Sequence, residues 1–379
     1  MEVPFRFNQV VDSQWMTGRK KEIRALAEEF VSLNNVIIAS PRKSGKTSLV
    51  RAASSLAMDW DLDMRVCCVD LFNVRDEELF YVRLAQAILR GVAKDWEEAA
   101  EILKKVFPSS EARLSVRSDS VSDVVVDFDW NDVRRLRETF WSMPEIVSRE
   151  TGLRLVIVID EMQRVLEFSD FEVFLDAVVR HWGRNSMENR TVAYCLCGSS
   201  SQDMPQWVNP CALRDFGTLL HLTSIPRQDF SSFISKTFSS TGKYIDLDLC
   251  DYIQSLAGGH PYYVQQIAQM VWLRTGIVCT KEIVEESHLA IVSQLSNLFQ
   301  HVTESLTGQQ ICYLKAVVSG ENVISTADVL HKYRISSATS ASRSKVALIQ
   351  KDILALSSGK TVFQDPLYEF WLKNDYFMR

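Results

Sequence analysis

The spacing of apolar positions changes character along the chain, and each change marks an expected element. Over residues 19–31 apolar side chains recur at helical intervals (Ile23, Leu26, Phe30), and Asn34-Asn35 ends the pattern before the uninterrupted run Val36-Ile37-Ile38-Ala39. This predicts an amphipathic helix followed by a buried strand. A polar loop at 40–47 leads into helix formers at 48–58, and 64–69 is again an apolar strand bounded by charges. Strand, helix, strand implies a parallel sheet with right-handed crossovers. One long helical pattern spans 76–107. Residues 114–128 alternate about the polar turn Arg117-Ser118-Asp119-Ser120, as in a small hairpin or flexible insertion, and 132–149 reads as a further helix. That helix delivers the chain to Leu155-Val156-Ile157-Val158-Ile159, the most hydrophobic strand and by that criterion the central one. An amphipathic helix at 171–182, a buried strand at 191–197 and a shorter strand at 218–222 complete this part.

Beyond Ile225-Pro226 the strands stop and helical patterns take over, at 229–239, 247–256, 261–273 and 281–299. From 308 onward three helical stretches precede Ser357-Ser358-Gly359-Lys360, which is flanked by short strand-like runs, the outline of a winged helix. The expected organisation is an α/β core over 1–225 with an insertion near 108–129, an all-α unit over 226–304, and a winged helix over 305–379. No internal repeat or low-complexity tract interrupts it.

Composition narrows the functional classes. The chain has 379 residues, 46% of them hydrophobic and 24% charged, which fits a folded multidomain protein and excludes disorder as the main state. A net charge of -6 means that any grip on nucleic acid must come from a local patch. The eight cysteines are scattered without C-x-x-C spacing and read as buried thiols of a reducing compartment. The first residues lack the layout of a signal peptide, and no apolar run approaches the roughly 20 residues that span a bilayer. The expectation is a cytoplasmic protein without a membrane partner.

The strongest chemical signal is Ser40-Pro41-Arg42-Lys43-Ser44-Gly45-Lys46-Thr47, which fits G-x-x-x-x-G-K-[ST] except at its first position and lies between a strand and a helix. Backbone N–H groups of such a loop surround phosphates, a lysine at the position of Lys46 reaches the β and γ oxygens, and the hydroxyl of Thr47 would ligate Mg²⁺. Ser40 places a side chain where the loop leaves the strand, which leaves loop geometry and hydrolysis rate open. The second signal is the apolar run 155–159 ending in Asp160-Glu161, which resembles a Walker B element. Asp160 would hold Mg²⁺ through coordinated water, and Glu161 would orient or deprotonate the attacking water. A third strand ends in Gly198-Ser199-Ser200, making Ser199 a candidate sensor of the γ-phosphate. Cys195 and Cys197 share one face of that strand without further ligands, which argues against a metal site.

Together with these, Thr17-Gly18-Arg19-Lys20-Lys21-Glu22, Ser48-Leu49, Val69-Asp70-Leu71-Phe72, Met162-Gln163 and Gly259-His260-Pro261-Tyr262 form an ordered set. The set resembles the archaeal-type ATPases, of the STAND branch of the AAA-like P-loop NTPases, across nearly the whole chain. The resemblance implies an AAA/ASCE-type parallel sheet with the phosphate strand flanked by the Walker B strand, a helical lid and a C-terminal winged helix, with ATP and Mg²⁺ as cofactors. It implies further that Gly18 and Arg19 help enclose the adenine, that residues 41–48 bind the phosphates, and that His260 and Pro261 let the lid touch the nucleotide. Arg214 falls where relatives carry an arginine sensing the γ-phosphate, a role that in trans requires a homo-oligomer; a surface ion pair is the plainer reading of that residue.

From 326 to 379 eight basic residues face five acids, so this segment is mildly positive. Arg343, Lys345 and Lys351 mark residues 340–354 as the candidate recognition helix, and Lys360 would sit on the wing. Three excess charges are few beside the 6 to 10 phosphate contacts of a strongly salt-dependent binder, so DNA and a protein partner both remain open. The leading expectation is an ATP-binding, slowly hydrolysing switch in which exchange of ATP for ADP moves the lid and the winged helix. The alternatives are a non-hydrolysing ATP-bound scaffold and a DNA-associated ATPase.

Overall fold

The structure is a computed structural model; it describes residues 3–11, 16–108, 112–116, 124–130, 133–183, 190–199, 213, 216–222, 224–357 and 359–378. Its centre is a five-stranded, all-parallel sheet built from β1 (Val36–Ser40), β2 (Met64–Asp70), β5 (Arg154–Asp160), β6 (Val192–Ser199) and β7 (Thr218–His221), in the order β2-β5-β6-β1-β7. Two expectations are corrected by this order. The hydrophobic strand β5 is interior but not central, and it does not flank β1. β6 lies between them, and its seven leading residues are all buried. Hydrophobicity reports burial on both faces, which β5 and β6 share, and carries no information on strand order.

Alternation within the strands separates two cores. On one face Val36 and Ile38 of β1, Val156 and Val158 of β5, and Ala193, Cys195 and Cys197 of β6 pack under α1 (Lys20–Val31) and α2 (Lys46–Trp60). On the other, Ile37, Val69, Leu155, Ile157, Tyr194 and Leu196 meet α3 (Glu77–Val92), α4 (Trp96–Val106), α5 (Val133–Thr151) and α6 (Phe171–Trp182). Asn35, fully buried, stitches the layers: its amide donates to the Trp182 carbonyl at 2.7 Å and accepts from the Tyr194 N–H at 3.1 Å. The single helix expected over 76–107 is two, because Asp95 caps a new start by accepting from the Glu98 N–H. β3 (Ala112–Val116) and β4 (Val124–Phe128) form the antiparallel hairpin; its turn lies outside the described residues.

The remainder is helical: α7 (Arg227–Ser240), α8 (Leu247–Leu256), α9 (Pro261–Arg274) and α10 (Lys281–Glu304) precede α11 (Gly308–Val318), α12 (Ala327–Lys332) and α13 (Ala338–Gln350). A two-stranded wing of β8 (Leu354–Ser357) and β9 (Lys360–Phe363) follows, then α14 (Pro366–Trp371). One continuous core runs from Phe5 through α7–α10 into the winged helix, ending at Leu372. No helix among the described residues is long and apolar enough to cross a membrane.

Candidate nucleotide site

Parallel strands end on one edge of the sheet, and there β1, β5 and β6 present their last residues together. β1 runs into the loop 41–45, where Lys43 (φ 59°) and Gly45 (φ 90°) adopt left-handed backbone. A Cβ on Gly45 would meet nothing within 4 Å, so its conformation rather than crowding calls for glycine. Gly45 is the N-cap of α2, so the loop opens a helix N-terminus with unpaired N–H groups, the backbone arrangement that holds anions. Ser40, where the sequence departs from the pattern, is buried, and its Oγ accepts a hydrogen bond from Ser44 Oγ at 2.8 Å. The extra side chain thus braces the loop from beneath.

Lys46 is 8% exposed and points at the acids ending β5. Its Nζ lies 3.2 Å from Asp160 Oδ1 and 3.8 Å from Glu161 Oε1, while Thr47 Oγ1 donates to Asp160 Oδ2 at 2.7 Å. Glu161 holds left-handed backbone (φ 60°, ψ 37°), and its N–H donates to Asp160 Oδ1 at 2.9 Å. Ser199 ends β6 in register with Ser40, and its N–H donates to Gln163 Oε1 at 2.9 Å. Lys46, Thr47, Asp160, Glu161 and Ser199 are thereby brought together. Arg214 lies outside the described residues.

Lys46, Thr47, Glu161 and Ser199 line one end of a cleft of about 500 Å³. Segment 6–11 and the start of α9 form other walls, with Phe7 edge-on to Tyr262 at 5.5 Å. The Val11 N–H donates to Ser48 Oγ at 3.1 Å. Thr17 and Arg19 also line the cleft. Gly18 (φ 65°) makes this approach feasible, since a Cβ there would lie 2.5 Å from Ile225 Cγ2 and 3.2 Å from Asp229 Oδ2. Gln265 adds a buried Oε1 with no hydrogen-bond partner. Segment 6–11 and Gln265 had no sequence signal: the first looks irregular, and the second is one polar position in an ordinary helix.

His260 caps α9 with Pro261 in its first turn, and its Nε2 lies 2.9 Å from the Arg42 carbonyl. A carbonyl only accepts, so this nitrogen carries the proton and Nδ1 is left buried and unpartnered. Burial holds the His260 imidazole below its ordinary range, so it is neutral near pH 7. Lys43 Nζ sits 4.0 Å from the Tyr262 ring, and Arg42 Nε sits 3.2 Å from Asp352 Oδ2 in the winged helix. Asp352, isolated in sequence from every motif, was not foreseen.

The chain shares its whole architecture with solved ATPases. The Walker-type ATPase PABY2304 of Pyrococcus abyssi superposes with a TM-score of 0.66 at 12% identity, over 98% of this chain and 99% of that one. This is a P-loop ATPase fold. The Aeropyrum pernix ORC2 protein, solved as ADPNP-ADP complexes, gives a TM-score of 0.60 at 14% identity, over 97% and 96% of the two chains. Residues 297–374 match the family described as a probable winged helix domain, so the P-loop ATPase fold carries a winged helix at its C-terminal end. No curated protein sequence matches the chain.

Proposed function

We propose that the protein is an ATP-binding, slowly hydrolysing molecular switch that couples nucleotide state to the positions of its lid and winged helix. The observation that carries this reading is the convergence of Lys46, Thr47, Asp160 and Glu161 on the mouth of the phosphate loop. Lys46 supplies a desolvated positive charge for phosphate oxygens, and helix α2 adds its N-terminal N–H groups. The hydroxyl of Thr47 and the carboxylate of Asp160, 2.7 Å apart, are hard oxygen donors that fit Mg²⁺. Bound there, the ion would neutralise charge developing on the phosphates. Glu161, whose Oε1 lies 3.8 Å from Lys46 Nζ, would accept a proton from water. The ADPNP and ADP held by the A. pernix ORC2 protein support adenine nucleotides as ligands.

The switch is supported by three contacts made to the phosphate loop from outside the core. His260 and Tyr262 come from the lid and Asp352 from the winged helix, and all address Arg42 or Lys43. Phosphates that reorder these two residues change the loop's affinity for both units, the differential interaction a population shift requires. The division into core (1–225), lid (226–304) and winged helix (305–379) belongs to this reading, as does the STAND-branch kinship of the motifs. A second reading, DNA association, draws on the exposed Arg343 of α13 and Lys360 of the wing. It requires salt-sensitive DNA binding that weakens when Arg343 and Lys345 are replaced by alanine.

The deciding experiment compares phosphate release by the wild type and by Glu161→Gln with ATP and Mg²⁺. Measurable release that falls about 100-fold or more in the variant, with ATP binding retained, is expected. Equal zero rates would establish a non-hydrolysing scaffold instead.

A further inference from the structure

Gln163 lies two residues beyond Glu161, in the 3-10 turn Met162–Glu167 whose Met162 and Val165 are fully buried. Those anchors fix the turn against the sheet. Gln163 is partly buried and makes two hydrogen bonds, one at each end of its amide. The Ser199 N–H can only donate, so the end facing it, at 2.9 Å, is the carbonyl oxygen. The NH₂ end therefore faces Glu161 Oε2, at 2.5 Å. The other oxygen of Glu161, Oε1, lies 3.8 Å from Lys46 Nζ.

We infer that Gln163 is the positioning residue of the hydrolytic site, its amide holding the Glu161 carboxylate against the end of β6 in the orientation water activation requires. The inference deepens the ATPase reading and rests on it. Without that donor, the Glu161 side chain is free to swing fully onto Lys46, where both of its oxygens are spent on an ammonium needed by the phosphates. With it, one oxygen is committed to Gln163 and the carboxylate plane is set, leaving the remaining lone pairs for a water. Ser199 is in register with Ser40 at the start of the phosphate loop, so the same amide links the acid, the strand β6 and the loop. A shift of β6 on contact with a γ-phosphate reaches Glu161 through one side chain. Misplacing a reacting group by about 1 Å costs on the order of 100-fold in rate, so the amide has the leverage to set turnover.

A purely structural tie between the turn and β6 is the competing account, and two variants separate them. Gln163→Glu keeps an acceptor for the Ser199 N–H but turns an anion toward Glu161; Gln163→Leu removes both contacts at similar volume. Steady-state phosphate release at pH 8 should show kcat lowered about 10- to 100-fold in both. KM and the calorimetric affinity for ATP should stay within about two-fold, since Gln163 touches Glu161 rather than the phosphate loop. In a Glu161→Gln background the further change Gln163→Leu should alter kcat by less than about two-fold, because the residue acts through Glu161. Wild-type kcat in Gln163→Glu, an equal loss in both backgrounds, or a loss confined to KM would overturn the inference. Absent release by the wild type would overturn it together with the ATPase reading, whereas wild-type release with insensitive Gln163 variants overturns it alone.

Discussion

At the scale of single residues the site is arranged around one buried charge. Lys46 is nearly inaccessible, and what compensates it is the pair Asp160 and Glu161. Replacing it with methionine leaves two neighbouring carboxylates uncompensated and removes a charge-assisted contact worth about 1.5–3 kcal/mol, so ATP affinity measured by calorimetry should fall on the order of 10- to 100-fold. Gly18 tests a different requirement. Its left-handed backbone and the 2.5 Å approach to Ile225 leave no place for a methyl group. Gly18→Ala is expected to lower stability by about 1–3 kcal/mol in denaturant unfolding and to loosen nucleotide binding, because its neighbours Met16, Thr17 and Arg19 line the cleft. The phosphate loop and its acids were legible in the sequence because each role demands a residue type at a fixed local offset. Gln163 stood within a quoted motif, yet its partner Ser199 lies on another strand, so its work could not be read from spacing.

At the scale of elements, helix ends are set by local caps, Asp95 and Thr307 among them, the latter with a capping box completed by Gln310, although the reading of one helix over 76–107 missed the first. How elements pack is another matter, and α10 against α14 shows it. His288 of α10 is 2% exposed, edge-on to Phe370 with ring centroids 4.5 Å apart, and its Nε2 has no partner. Burial alone pushes its imidazole down to about 4. The unfolded chain, with an ordinary value near 6.5, binds the proton first as pH falls. Stability should therefore decline between about pH 6.5 and 4 and level off below, by at most about 3 kcal/mol. Urea unfolding across that range should show the decline in the wild type and a flatter profile in His288→Leu.

At the scale of the whole molecule, the loop at 41–45 is met by α9 through His260 and Tyr262 and by the winged helix through Asp352. Arg42 is exposed and Asp352 half-buried at the surface, so their pairing contributes about 1 kcal/mol or less to stability. On the proposed reading its consequence lies in competition: Asp352 holds an arginine that ATP phosphates would also address. Asp352→Asn should leave the thermal midpoint nearly unchanged while tightening ATP binding by at most about five-fold, and calorimetry against the wild type measures the difference. By itself the sequence determined the pattern of the loop at 40–47, the acids that end β5 and the kind of most elements. A strand's alternation, a helix's period, a cap and a phosphate loop are all set by atoms a few residues apart. Tertiary structure alone decided that β6 separates β1 from β5, that His260 reaches the Arg42 carbonyl 218 residues away, and that the winged helix touches the loop through Asp352. Those pairings are chosen by how preformed faces fit together. Many strand orders and domain placements bury the same apolar residues equally well, and local patterning does not distinguish among them.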